Sequence, residues 1–292
     1  MGQDGLQLRR RFDRMKLVRT PSCVNLGEIS ACGLVARQVV VWQVDILRWR
    51  SAELIPVLGQ DERARAAQFA SAKHRDRYVI RRGVLQLILA AYPDFDHLRL
   101  RRETCTDCGA DHERPFLVDR HGETSVFVST SSADDVCTVA LSRAGPVGVD
   151  IVSSRRAADL LNARSRFLTR PEVQYLDGCS SNAARVAVVE FWAIKEAYLK
   201  AIGTGLRTDP RTVDALGLLH GQELTAHSAQ PPASWACHLR RDVDSITAVV
   251  TRRVPALLRW CRLPETPASR LRSKHRQDVV DVAAALHTGP SG

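Results

Sequence analysis

Two short blocks of the chain carry residue types that could do chemistry. In Gly148-Val149-Asp150-Ile151 an aspartate sits inside an apolar, β-branched run. A carboxylate buried there is costly unless it is paired, hydrogen-bonded or bound to a metal. Read alone, Asp150 suits a strand-end turn better than a metal ligand. In Phe191-Trp192-Ala193-Ile194-Lys195-Glu196-Ala197-Tyr198-Leu199-Lys200, helical spacing puts Trp192, Glu196 and Lys200 on one face. Read alone, that is a surface Glu–Lys pair worth about 0.2–0.5 kcal/mol. A third block, Cys105-x-x-Cys108-x-x-x-His112, has the first three ligands of a zinc knuckle, but a closed site needs four. His121 could supply the fourth and nothing fixes it there, so a thiol-bearing loop is the preferred reading over zinc.

The elements around these blocks follow from periodicity. Val39 to Ile46 reads as a strand, with order expected to begin at Gln38. Helical patterns run over 61–69 and 77–91, the second through Val84, Leu85, Ile88 and Leu89, and Pro93 ends it. Residues 103–125 read as a loop. Ser125 to Val128, a turn at 131–135 and Val136 to Leu141 read as a hairpin. Val147 to Val152 continues the sheet, a helix is expected from about Asn182 to Ile202 with Gly203 beyond it, and 243–251 reads as a late strand. A short helix is expected at 278–287. The pattern is α+β, with lobes at 38–145 and 146–255 between a basic disordered tail, 1–37, and a C-terminal tail, 256–292.

Composition narrows the function classes. The 292 residues are 45% hydrophobic and 25% charged, with net charge +10, so collagen-like, coiled-coil and wholly disordered chains are excluded. Part of that charge is local: residues 1–37 hold seven Lys/Arg against three Asp/Glu. The best apolar run, Val84 to Ala91, falls far short of the ~20 residues a membrane span needs. Arg9-Arg10-Arg11-Phe12 lacks the apolar stretch of an export signal, and the eight scattered cysteines do not form a disulfide framework, so the expected address is the cytoplasm. No P-loop, G-x-G-x-x-G, H-E-x-x-H or G-x-S-x-G motif occurs.

In order, and about 45 residues apart, the first two blocks resemble the G-[VI]-D-[IL] and W-x-x-K-E-[AS]-x-x-K signature of the 4′-phosphopantetheinyl transferases, specifically the Sfp-like group. Ala201-Ile202-Gly203-Thr204-Gly205-Leu206 continues as family members do. Phe69 with Arg77, the Arg114-Pro115-Phe116 turn and Val126-Phe127-Val128-Ser129-Thr130-Ser131 also fit, so the resemblance covers residues 38–255. The Cys/Gly/His loop is similar to that of actinobacterial-type members. The resemblance implies a pseudo-two-fold pair of α/β lobes, each with a small sheet packed on a long helix, and coenzyme A in the cleft between them. It implies that phosphopantetheine passes from coenzyme A to a serine of an acidic acyl or peptidyl carrier protein, releasing 3′,5′-ADP.

Carried over by position, Asp150 and Glu196 would bind Mg²⁺ on the diphosphate. Glu196 would accept the serine proton, and Lys200 would neutralise the leaving group. Arg65, Arg77 and Arg114 would hold phosphates, with Ser129 and Thr130 near the 3′-phosphate. Two positions depart from the pattern: Val152 replaces a second acid and Thr130 replaces a histidine. The two lobes could supply the whole site as a monomer. Two alternatives stay open at this point, a family member impaired by those departures and a basic nucleic-acid-binding protein.

Overall fold

A computed structural model describes residues 22–23, 33–104, 109, 111–219, 235–252 and 257–263. Its elements, in order, are β1 (Ser22–Cys23), β2 (Gln38–Asp45), α1 (Ser51–Leu54), α2 (Gln60–Ala67), α3 (Ala72–Ala90), β3 (Arg99–Thr104), β4 (Asp111–Val118), β5 (Thr124–Ala133), β6 (Val136–Ser142) and β7 (Val147–Ser153). There follow α4 (Ala157–Asn162), α5 (Arg170–Asp177), α6 (Ser181–Ile202), α7 (Ala215–Leu219), β8 (Trp235–Arg241), β9 (Ser245–Arg252) and β10 (Leu257–Arg262), with short 3₁₀ turns between. No described helix is long and apolar enough to cross a membrane.

The strands form two sheets, one ordered β1-β10-β2-β6-β5-β4-β3 and one ordered β7-β9-β8. Alternation along the strands sorts the core into layers. Trp42, Val44, Val128, Val139 and Leu141 pack with Val84, Leu85, Ile88 and Leu89 of α3. The opposite faces, including Val39, Val41 and Ala140, pack with Val147, Val149 and Val249 of the second sheet. Val152, Ala248 and Val250 pack with Val188, Phe191, Ile194 and Ala197 of α6. The order is therefore helix, sheet, sheet, helix, and each long helix covers the outer face of its own sheet.

The mixed α+β architecture is the expected one, but the first sheet is larger than expected. Among the described residues it has seven strands, because four segments not read as strands, β1, β3, β4 and β10, are strands. β4 and the last two residues of β3 lie where a loop was expected; Arg99-Leu100-Arg101-Arg102 and Asp111 to Pro115 have too few apolar residues to show alternation. Pro115 pairs with Arg102 of β3 and lies just outside the stretch of β4 that pairs with β5, which begins at Phe116. β10 lies inside the segment read as the C-terminal tail, and it pairs in parallel between β1 and β2. The polypeptide thus leaves the first sheet after β6, builds the second, and returns to finish the first.

The hairpin turn is also tighter than expected. The ladder continues to Ala133↔Val136, and only Asp134 and Asp135 turn, with Asp134 at φ 46°. Residues 131–133 are therefore strand, and their side chains alternate between its faces. Ser71 caps α3 through the His74 amide, which starts that helix five residues before the expected Arg77. Gly203, at φ 83°, closes α6 in the left-handed region. The expected helix at 278–287 and the body of the 1–37 tail lie outside the described residues.

Candidate functional site

β7 and α6 meet closely because Gly148 has no side chain. A Cβ at that position would stand 1.8 Å from the Ala197 carbonyl oxygen and 2.6 Å from the Ala201 nitrogen. This is the physical content of the glycine in Gly148-Val149-Asp150: the helix backbone rests on the strand backbone. Two residues on, the strand presents Asp150 to the same side, and α6 presents Glu196 and Lys200 beside it.

Asp150 is 6% exposed. Its Oδ1 accepts hydrogen bonds from Lys200 Nζ and from Ser131 Oγ, both at 2.6 Å. Lys200 Nζ also donates to the Val149 carbonyl at 3.2 Å. Burial raises the Glu196 pKa above the usual glutamate range, and the negative charge of Asp150 raises it further; Lys200 and Arg156 act against them. Two carboxylates thus press on each other beside one half-buried ammonium group. A divalent cation is the species that relieves such a pair, and Mg²⁺ accepts a few hard oxygens completed by water or phosphate. Among the described residues no group of three or more His, Cys, Asp or Glu comes together. Asp150 and Glu196 could hold a hard divalent cation, with its remaining positions open to other oxygens. Val152 is buried against α6, so this chain uses the departing position for packing.

The remaining expected residues do not gather in one cluster. Ser129 and Thr130 face opposite ways. Ser129 is buried, and its Oγ accepts the Val149 N–H at 3.0 Å, which makes it a joint between the sheets instead of an open phosphate contact. Thr130 is half-buried, on the face of β5 that looks toward α3. On that side Arg81 donates to Ser132 Oγ at 2.7 Å, and Arg77 pairs with Asp135 at 2.8 Å in the hairpin turn. Arg114 donates to the Ala201 carbonyl at 2.6 Å and lies over the Phe127 ring, so it ties β4 to the end of α6. Arg65 sits on α2, bonded to Gln68 and stacked on Phe69. Cys105 and Cys108 and the side chain of His112 lie outside the described residues, and the exposed His121 accepts a bond from Arg120.

Three residues gain meaning only from the structure. Arg156, exposed in the turn after β7, puts a positive charge near Glu196; a basic pair directly after the strand was the available signal. Ser131 reaches Asp150 from the other lobe; it ends the strand motif of the sequence, which gave it no role. Lys195, in the helix block itself, points away from the site. It is fully buried, donates to Glu172 and to the Pro210 carbonyl at 2.9 Å each, and bonds the Val213 carbonyl. Burial lowers its pKa, and Glu172 opposes that shift.

Residues 146–251 match the family model of the 4′-phosphopantetheinyl transferase superfamily. The chain is 28% identical over 178 residues to the 4′-phosphopantetheinyl transferase HetI of Nostoc sp., a match spanning 59% of this chain and 72% of that one. It is 40% identical over 73 residues to the holo-[acyl-carrier-protein] synthase of Nautilia profundicola, spanning 23% of this chain and 59% of that one. A crystal structure of a holo-(acyl-carrier-protein) synthase from Bacillus anthracis with CoA (3′,5′-ADP) aligns at TM-score 0.29 and 20% identity, over 36% of this chain and 92% of that one.

Proposed function

We infer that this chain, whose residues 146–251 match the 4′-phosphopantetheinyl transferase superfamily, is an enzyme of that class, and propose that it moves phosphopantetheine from coenzyme A to a serine of an apo acyl or peptidyl carrier protein, with Mg²⁺. We place it with the Sfp-like, actinobacterial-type members, acting as a cytoplasmic monomer. The observation that carries the reading is the convergence of Asp150, Glu196 and Lys200 where α6 rests on Gly148.

The serine oxygen attacks the phosphorus that bears the pantetheine arm, and the bond from that phosphorus to the bridging oxygen of the diphosphate breaks. The product is a phosphodiester on the carrier, and 3′,5′-ADP departs with the electron pair. Such transfers depend mainly on position and charge neutralisation. Asp150 and Glu196 hold Mg²⁺, which when bound supplies electrostatic stabilisation of the diphosphate. Glu196 accepts the serine proton, directly or through water. Lys200 neutralises charge on the departing phosphate; its present partner, Asp150, keeps the ammonium group beside the site. Arg77 and Thr130 on the α3 side, with Arg65 and Arg114, hold phosphates. A chain of net charge +10 meets an acidic carrier faster at low salt.

The test is incubation with coenzyme A, an apo-carrier protein and Mg²⁺, read by carrier mass and by released 3′,5′-ADP. The expected result is one phosphopantetheine per carrier, matched by one 3′,5′-ADP and stopped by a chelator. Asp150→Ala and Glu196→Ala should each lower the rate by roughly 100-fold or more with circular dichroism unchanged. An unmodified carrier overturns the reaction, and full activity in either variant overturns the roles.

A further inference from the structure

Among the described residues β7 is an edge strand, paired with β9 on one side. Its outward amides need partners, since an unpaired buried N–H is costly. β5 of the other sheet supplies them from side chains. Ser129 Oγ takes the Val149 N–H at 3.0 Å, and Ser131 Oγ takes the Ile151 N–H at 3.3 Å. The two serines are two residues apart on one face of β5, and the two amides are two residues apart on one edge of β7, so the registers match.

The serines then differ in one respect. With a lone pair engaged by Ile151, the Ser131 hydroxyl directs its proton to Asp150 Oδ1 at 2.6 Å, the length of a charge-assisted O–H···O⁻ bond. Lys200 donates to the same oxygen from α6. Oδ1 is thus held from both lobes, which leaves Oδ2 for a further ligand.

Resting on the metal role assigned above to Asp150, we propose that Ser131 is a positioning residue: its hydroxyl sets the angle of the Asp150 carboxylate from across the lobe interface and so raises divalent-cation affinity. Partners that orient metal-binding carboxylates affect affinity without touching the metal.

The test titrates the full chain with Mn²⁺ alone, following free Mn²⁺ by electron paramagnetic resonance. Ser131→Ala should weaken Mn²⁺ binding by roughly 10- to 100-fold, and Ser131→Thr, which keeps the hydroxyl, should restore most of it. Ser129→Ala is the control. It removes the matching edge-amide partner without touching Asp150, so it should cost similar thermal stability and leave Mn²⁺ affinity near the wild-type value. Wild-type affinity in Ser131→Ala, or equal weakening in Ser129→Ala, overturns the inference and leaves the metal role intact. A wild-type chain that binds no Mn²⁺ overturns both.

Discussion

Each lobe sets one long helix on the outer face of its sheet, and the two contacts are built differently. In the N-terminal lobe α3 stands off on large side chains: Val84, Leu85, Ile88 and Leu89 meet Trp42, Val139 and Leu141. Its polar residues reach the hairpin, through Arg77 to Asp135 and Arg81 to Ser132, and α2, through Arg82 to Glu62. In the C-terminal lobe Gly148 lets α6 come down onto the strand backbone. Side chains on the two elements then sit within ion-pair distance, and Asp150 meets Lys200. The acid pair exists in the lobe where helix and strand are closest, because short side chains can converge only there.

The sharpest way to break that contrast is to fill the gap. Gly148→Ala drives a Cβ into the Ala197 carbonyl, so helix and strand must separate. The expected loss exceeds the ~1–3 kcal/mol of ordinary overpacking. Gly83→Ala in α3 brings a Cβ to 2.7 Å from Leu54 Cβ, a side-chain clash that should stay within that range. Denaturant midpoints of the two variants should rank in that order, and equal midpoints would remove the distinction between the lobes.

A second comparison lies along α6 itself. Lys195 is fully buried with Glu172, whose carboxylate also accepts the Ala215 and Thr169 amides at 2.7 Å each. Lys195→Met strands that carboxylate in the core and should cost about 3–5 kcal/mol in urea unfolding. Lys200→Met, at a partly exposed pair, should cost roughly 0–1 kcal/mol while removing transfer activity. A Lys195→Met variant as stable as the parent would show that Glu172 does not depend on this partner.

The smallest effect concerns protonation. In metal-free protein the Glu196 pKa is raised by burial and by Asp150. The folded state therefore holds this proton more tightly than the unfolded chain. The associated stability is fully present below the ordinary glutamate range and is lost as pH rises through the elevated pKa. Asp150→Asn should move the Glu196 midpoint down, and Arg156→Gln should move it up, in a carboxyl-carbon NMR titration. A midpoint unmoved by Asp150→Asn would show that the two carboxylates do not face each other.

Much of the candidate site was legible along the chain: strand and helix periods put Asp150 on a strand and Glu196 and Lys200 on one helix face, and the family resemblance joined the two blocks into one site. The β-branched run of β2 and the apolar stripe of α3 were legible from their periods. β3 and β4 were not: charged residues and Pro115 erase the alternation. β10 was hidden by distance, since its partner in the ladder, β2, is about 220 residues away in the chain. Ser129 could be placed on a strand but not on a face until the register carried β5 through to Ala133.

What the order of amino acids determined by itself is the local periodicity, and with it a strand acid and a helix acid–base pair; spacing within one element depends only on backbone geometry. What only the tertiary structure decided is which partners those groups have: Ser131 and Lys200 on Asp150, Glu172 on Lys195, and the Gly148 contact that holds strand to helix. Those pairings join different elements: Ser131 meets Asp150 only when the two lobes pack together, and the others form only when the strand and helices of the C-terminal lobe pack on one another.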